Sequence, residues 1–335
     1  MFDNGHSPLI ARPVADVESQ NATSRGLAFI SSAPAIMDIL AKIKLIAQSQ
    51  ASVLITGESG TGKEVIARFI HSLSDRADKP YVGLNCAALP RDVIENELFG
   101  HEKEAFTGAV SKKMGCFELA QNGTLFLDEV AEMHPQVQAK FLRALELKSI
   151  RRLGGHEDIE VDARIVAATN KNIPSALTSG ELRSDVYYRL SVVEIHIPAL
   201  RERREDVPLL IDHFIGMFSE KYKKPPKRLS SESMQLMMNF EWPGNVRELK
   251  NVVESLMLIC PECIIEPCHL PARISRQKPV ELFISMPIGT TIEEVERILI
   301  LRTLALVGDN KTRAAQILGI SRKSLYDRLN SFSQP

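Results

Sequence analysis

The sequence predicts a layered α/β core that binds a nucleoside triphosphate, an all-helical lid behind it, and a small helix-turn-helix unit at the end. Three observations predict this. Apolar strand candidates at residues 52 to 56, 80 to 85, 124 to 128, 163 to 169 and 192 to 197 alternate with helical patterns, as in a layered α/β sheet. A glycine-rich loop follows the first of these strands. Basic charge collects in a short helical stretch near the carboxyl end, in a chain whose net charge is only -1.

Length and composition bound the reading. At 335 residues and 44% hydrophobic content the chain can bury a large core and divides into two or three domains. With 41 basic and 42 acidic side chains, any nucleic-acid surface must be local. Five cysteines, an odd count, argue against a disulfide framework. No apolar run reaches the roughly 18 residues a membrane span needs, and the start Met1-Phe2-Asp3-Asn4 lacks the parts of a signal peptide. A cytoplasmic protein with no membrane partner is expected.

Taken in order, residues 1 to 26 are polar and aperiodic, which predicts a loose arm too short for a sensory domain. Control is then expected from a separate partner protein, from expression level or from co-assembly. Residues 27 to 198 hold the α/β core. The loop Gly57-Glu58-Ser59-Gly60-Thr61-Gly62-Lys63-Glu64 follows the apolar run 52 to 56. Its glycines let successive amides turn inward around phosphates, and Lys63 brings a positive charge to the outer phosphates at a helix amino terminus. Glu64 stands where a simple phosphate loop has Ser or Thr, so magnesium must lean on the triphosphate, water and another carboxylate. The run 123 to 129 ends in Asp128 and Glu129, which suit metal holding and water activation respectively.

Residues 199 to 271 turn helical and predict the lid, and residues 272 to 290, with prolines, a glycine and weak periodicity, predict a linker. Residues 291 to 333 form the last unit. Lys311 to Gly319 reads as one helix, Gly319-Ile320-Ser321 as the turn with Ser321 as N-cap, and Ser321 to Leu329 as the second helix. Lys311, Arg313, Arg322, Lys323 and Arg328 face only Asp327 in charge between 311 and 328. With Ser321 and Ser324 they are the candidate DNA contacts, while Ala314, Ala315, Leu318, Ile320, Leu325 and Leu329 form the inner face. Cys260-Pro261-Glu262-Cys263 with Cys268-His269 offers metal ligands, but the second pair is spaced too tightly for a zinc site and none is expected.

With these parts in order, the chain resembles the bacterial enhancer-binding proteins, the AAA+ ATPases that activate sigma-54 RNA polymerase. The resemblance covers residues 27 to 333, and its most specific stretch runs from Glu97-Leu98-Phe99-Gly100 to Glu104-Ala105-Phe106-Thr107-Gly108-Ala109. That stretch is similar to the family's surface loop Gly-Ala-Phe-Thr-Gly-Ala, which implies that Phe106, Thr107 and Gly108 contact sigma-54. Glu104 replaces the motif's first glycine, so altered coupling is expected more than altered hydrolysis. The resemblance further implies that Asn85 restrains the catalytic Glu129 and that Asn170 orients water as the first sensor. It implies that Arg183 and Arg189 reach a neighbouring protomer's nucleotide, and that Arg247, in Trp242-Pro243-Gly244-Asn245-Val246-Arg247, is the second sensor. It thus implies a ring that binds ATP and magnesium, enhancer DNA and sigma-54 polymerase. Two alternatives are a DNA-binding AAA+ regulator that hydrolyses ATP without activating sigma-54, and an AAA+ remodeller of another substrate.

Overall fold

The computed structural model describes residues 29–106, 109–276, 289–306 and 310–331. The expected arm at 1 to 26, Thr107, Gly108 and most of the expected linker lie outside the described residues. The chain divides into two compact units, Met1–Arg276 and Gln277–Pro335.

The first unit is built on five parallel strands: β1 (Val53–Thr56), β2 (Tyr81–Asn85), β3 (Thr124–Asp128), β4 (Arg164–Thr169) and β5 (Val193–His196). Their order across the sheet is β2-β3-β4-β1-β5, with Asn85 opposite Asp128 and Thr56 opposite Thr169. Each strand lies within a residue of its sequence expectation. Alternation explains the layers: Val53, Ile55, Phe126, Val166 and Ala168 meet Ile36, Ile43, Ile66 and Ile70 on one face. Leu54, Leu125, Leu127, Ile165 and Ala167 meet Ile94, Phe117 and Phe141 on the other.

Two short antiparallel hairpins, too brief for periodicity to reveal, interrupt this pattern. Gly100–His101 pairs with Lys113–Met114, and Ser149–Ile150 pairs with Ile159–Glu160. A parallel bridge joins His101 to Leu153, with Glu102 N–H donating to Leu153 O and Leu153 N–H to Gly100 O, both at 3.0 Å. Arg152 locks the junction by pairing with Glu102 and Glu118.

The lid packs the helices Asp206–Tyr222, Ser231–Asn239 and Asn245–Ile259 around Trp242, Phe218, Leu249 and Val253. Trp242 is fully buried and its indole N–H donates to Met237 O at 2.8 Å, so it is a core residue. The lid reaches the first helix, Pro34–Ala47, through Asp206. This buried carboxylate accepts from Ser31 Oγ at 2.6 Å and from the N–H groups of Ser32 and Ala33 at 2.7 and 3.1 Å. The expected start of the linker at residue 272 is corrected: the short helix Ala272–Ser275 buries Ile274 in the lid core, so packing continues to Arg276.

The second unit comprises the helices Ile292–Leu306, Lys311–Leu318 and Arg322–Ser331. Its core joins Ile300 and Leu304 to Ala314, Ala315 and Leu325, with Leu318, Ile320 and Leu329 partly buried beside them. Gly319 takes the left-handed φ of +67° that closes the first recognition-motif helix. Ser321 Oγ accepts from Ser324 N–H at 3.0 Å, as an N-cap does.

Candidate nucleotide site, surface loop and DNA-binding unit

The carboxyl ends of β1, β3 and β4 assemble the site, the edge at which open parallel sheets hold ligands. Lys63 begins the helix Lys63–Ser72, directly after Gly62, whose φ of +106° makes the turn available to glycine. The Lys63 ammonium is buried and donates to Gly57 O at 2.9 Å and to Glu58 O at 3.3 Å. It also stands 3.4 Å from the Glu129 carboxylate.

Asp128 ends β3, and Glu129 follows at a left-handed φ of +55°. Burial first, then the charge of Glu129, raise the Asp128 carboxyl above its ordinary value. Glu129 Oε2 accepts from Asn170 N–H at 2.8 Å, a contact through the main chain of Asn170. Asn85, the exposed end of β2, uses its Oδ1 to accept from Ala87 N–H at 2.9 Å. Its side chain therefore closes its own turn and is not on Glu129.

Not every loop side chain faces the phosphates. Glu64 ion-pairs with Arg68 at 2.9 Å on the exposed face of its helix. Thr61 Oγ1 donates to Glu58 O at 2.8 Å. Glu58 is held by Arg201 through two bonds of 2.8 and 2.5 Å and by Asn245 Nδ2 at 3.1 Å. Hydrogen bonds from Arg201 and Asn245 lower the Glu58 carboxyl to about 2. All three side chains are thus engaged within the protein. Arg247 Nη1 donates to Ser59 Oγ at 2.9 Å, which brings the expected second sensor to the loop.

Sequence reasoning missed Arg201, Arg203 and the role of Asn245. For the two arginines the signal was the charged run Arg201-Glu202-Arg203-Arg204-Glu205-Asp206 directly after the core. It also missed Gln138, which is fully buried and donates to Met133 O and Glu181 O at 2.7 and 2.6 Å. Gln138 Oε1 accepts from Arg183 N–H at 2.9 Å and so fixes the start of the helix Ser184–Leu190. Both expected trans arginines lie here and are exposed. Arg183 pairs with Asp185 at 2.7 Å, and Arg189 donates to Leu145 O at 3.2 Å.

The Phe106 loop stands on the first hairpin. Gly100, at φ +73°, must lack a side chain because an added Cβ would lie 2.3 Å from Lys113 O. Glu104 takes a left-handed φ of +67°, and its N–H donates to Ala109 O at 2.8 Å. Phe106 is 47% exposed and meets His101 edge-on at 5.1 Å.

The cysteine stretch forms a local hydrogen-bonded cluster. Ligand atoms of Cys260, Glu262 and His269 lie within 4.8 Å of one another, but Glu266 N–H donates to His269 Nδ1 at 3.0 Å. Nδ1 then carries the lone pair and Nε2 the proton, which points to Glu262 at 3.2 Å. Cys260 Sγ donates to the same carboxylate at 3.3 Å. In this arrangement the three side chains satisfy one another by hydrogen bonds at the edge of the lid. Burial pushes the thiols of Cys86 and Cys116 up to about 12 and about 11, so neither is a nucleophile.

In the second unit Arg313, Ser321, Arg322 and Lys323 are exposed, and Lys311 and Ser324 are partly so. Lys311 lies 4.6 Å from the centre of the Tyr326 ring. Arg328 ion-pairs with Glu296 of the helix Ile292–Leu306 and so ties the unit together.

Comparison with known proteins matches each part. Residues 29–196 match the family model described as the sigma-54 interaction domain. Residues 201–282 match the AAA+ ATPase lid domain, and residues 291–332 match the bacterial regulatory protein, Fis family. The transcriptional regulatory protein ZraR of Escherichia coli strain K12 is 44% identical over 315 residues, covering 94% of this chain and 71% of that protein. Regulatory protein AtoC of the same strain is 45% identical over 312 residues, 90% of this chain and 67% of that one. A crystal structure of NtrX from Brucella abortus in complex with ADP aligns with a TM-score of 0.70 at 33% identity, covering 92% of this chain and 70% of that one. The chain belongs to the sigma-54 activator family: it is a sigma-54-dependent transcriptional activator in which an AAA+ ATPase core and lid precede a Fis-type helix-turn-helix.

Proposed function

We propose that this activator assembles as a homo-oligomeric ring, or with a related subunit, on enhancer DNA in the cytoplasm. There it uses ATP hydrolysis to convert the closed sigma-54 polymerase complex into an open one. The observation that carries the reading is the bridge from the Phe106 loop through Leu153 to the second hairpin. That hairpin leads into β4, whose tip donates to Glu129. A change at the outer phosphate thereby has a short covalent and hydrogen-bonded route to the loop. The proposed domain division is a core from 27 to 198, a lid continuing to Arg276, and a DNA-binding unit from 291 to 333.

In this reading the amides of residues 57 to 63 and Lys63 bind the phosphates, and Glu129 takes the proton of the attacking water. Asn170 orients that water, Arg247 contacts the nucleotide from the lid, and Asn85 restrains Glu129 after leaving its own turn. Asp128 fits magnesium as a half-buried carboxylate offering a hard oxygen ligand next to a second acid. When bound, magnesium would neutralise charge on the outer phosphates. Arg183 and Arg189 act on the adjacent copy's nucleotide, for which their exposure at the two ends of one short helix, the N-cap and the last turn, is suited. Phe106, Thr107 and Gly108 press on sigma-54. Lys311, Arg313, Ser321, Arg322, Lys323 and Ser324 contact DNA, and Arg328 supports them from behind.

Glu104 gives little support to an activator that has lost sigma-54 coupling. It occupies the left-handed conformation that a glycine would, with the closing hydrogen bond to Ala109 formed. Subunit mixing tests the ring. An Arg183→Ala copy and a Glu129→Gln copy, each inactive alone, are expected to recover ATPase activity when mixed. No recovery at any ratio would contradict a site shared between protomers.

A further inference from the structure

The phosphate loop has two faces, and the lid holds the outer one. Three successive loop carbonyls accept from lid-side residues: Ser59 O from Asn245 Nδ2 at 3.0 Å, Gly60 O from Val246 N–H at 3.0 Å, and Thr61 O from Arg203 Nη2 at 2.8 Å. Glu58 adds its paired bonds to Arg201 and its bond to Asn245. At Gly60 the approach is so close that an added Cβ would lie 2.4 Å from Gly244 O. Asn245 is the hub. It is fully buried, takes a left-handed φ of +52°, and its Oδ1 accepts from Leu200 N–H at 2.8 Å. One amide thus ties together the phosphate loop, the turn Leu200–Glu202 and the start of the helix Asn245–Ile259.

These contacts leave the inward amides of the loop free for phosphate. Curling of the loop around a triphosphate, or its relaxation on the diphosphate, displaces the outer carbonyls in the opposite sense. Because those carbonyls end in lid residues, the lid must follow or break several hydrogen bonds. We propose that Glu58, Arg201 and Asn245 are positioning residues that make the lid register the phosphate state of the nucleotide through the back of the loop, separately from Arg247. The inference rests on the chain's being an ATPase and adds a second route between the nucleotide and the lid.

The test uses the full chain with Glu58→Gln, Arg201→Gln, the double variant and Arg201→Lys. Readouts are ATP-analogue and ADP affinity, kcat and KM, and amide hydrogen exchange of residues 245–259 with each nucleotide. Glu58→Gln is expected to bind the ATP analogue within about threefold of the unmodified chain, since the Glu58 carboxylate is engaged by Arg201 and Asn245. Its difference in exchange between ATP analogue and ADP should shrink by half or more, with a loss in kcat of about fivefold or greater and little change in KM. The double variant should lose no more than the worse single variant, as for two ends of one link, and Arg201→Lys should fall between. Unchanged nucleotide-dependent exchange, or additive losses, would overturn the proposal. So would a loss of ATP-analogue affinity beyond about tenfold in a folded Glu58→Gln chain, because it would place Glu58 among the nucleotide contacts. If Glu58→Gln does not fold, the Arg201→Lys exchange pattern alone decides. Failure of the unmodified chain to hydrolyse ATP would instead count against the ATPase reading.

Discussion

Asn170 donates its backbone N–H to the Glu129 carboxylate at 2.8 Å, so the tip of β4 holds the acid that ends the neighbouring strand. Lys63, at 3.4 Å, holds the other oxygen of the same carboxylate. Glu129 is therefore placed by two groups from different elements, the tip of β4 and the start of the helix that follows the glycine-rich loop. Glu129→Gln keeps the shape and the contact from Asn170 but removes the base. ATP binding is expected to persist while kcat falls by about 10²- to 10⁴-fold, the usual range for a general base. Equilibrium binding and steady-state phosphate release check this.

Glu104 supplies a stability prediction. A non-glycine residue at φ +67° is disfavoured by about 1 kcal/mol relative to glycine. Glu104→Gly should remove that strain without disturbing the Glu104 N–H bond to Ala109. Hydrogen exchange at residues 102–110 is expected to slow while ATPase activity stays unchanged. Faster exchange would mean that added backbone freedom outweighs relieved strain.

The basic side chains proposed to face DNA divide into two kinds. Arg322→Ala and Lys323→Ala remove exposed charges and should each weaken DNA binding and lower the slope of log affinity against log salt by about 1. Arg328→Ala breaks the pair with Glu296 and should lower the melting temperature of the unit more than it changes the salt slope. Titrations at several salt concentrations, with thermal melts, separate the two.

The pH dependence of the Glu58 link has a definite sign. Its folded carboxyl is lowered from 4.5 to about 2, so its contribution is complete above 4.5 and disappears as pH falls through 2. The stability gap between the unmodified chain and Glu58→Gln should therefore stay constant from about pH 8 to 5 and narrow only below that. Glu58 is partly exposed, so solvent screens the pair and the gap should be modest. Chemical denaturation across this range measures it.

The legible parts of the fold were those governed by local pattern. Val53 to Thr56 and Arg164 to Thr169 read as strands because buried parallel strands are continuous apolar runs. The phosphate loop, the Asp128-Glu129 pair and the recognition helices read clearly because glycine spacing, strand ends and N-caps are short-range signals. What escaped was set by packing between distant segments. Arg201 meets Glu58 across 143 positions and Asn245 meets Ser59 across 186, and no spacing rule anticipates either bond. The two-residue strands carry too few residues to show alternation. The bonds that join Cys260, Glu262 and His269 depend on the fold of the lid edge, and the partner of Arg328 lay on a helix outside the turn motif.

The central claim is that hydrolysis is coupled to polymerase through Phe106, and promoter opening tests it most directly. Sigma-54 polymerase on its promoter is incubated with ATP and either the unmodified chain or Phe106→Ala, and strand melting is read alongside phosphate release. The account predicts melting with the unmodified chain and none with Phe106→Ala, at ATPase rates within about twofold of each other. Equal melting by the two forms, or none by an actively hydrolysing unmodified chain, would contradict it.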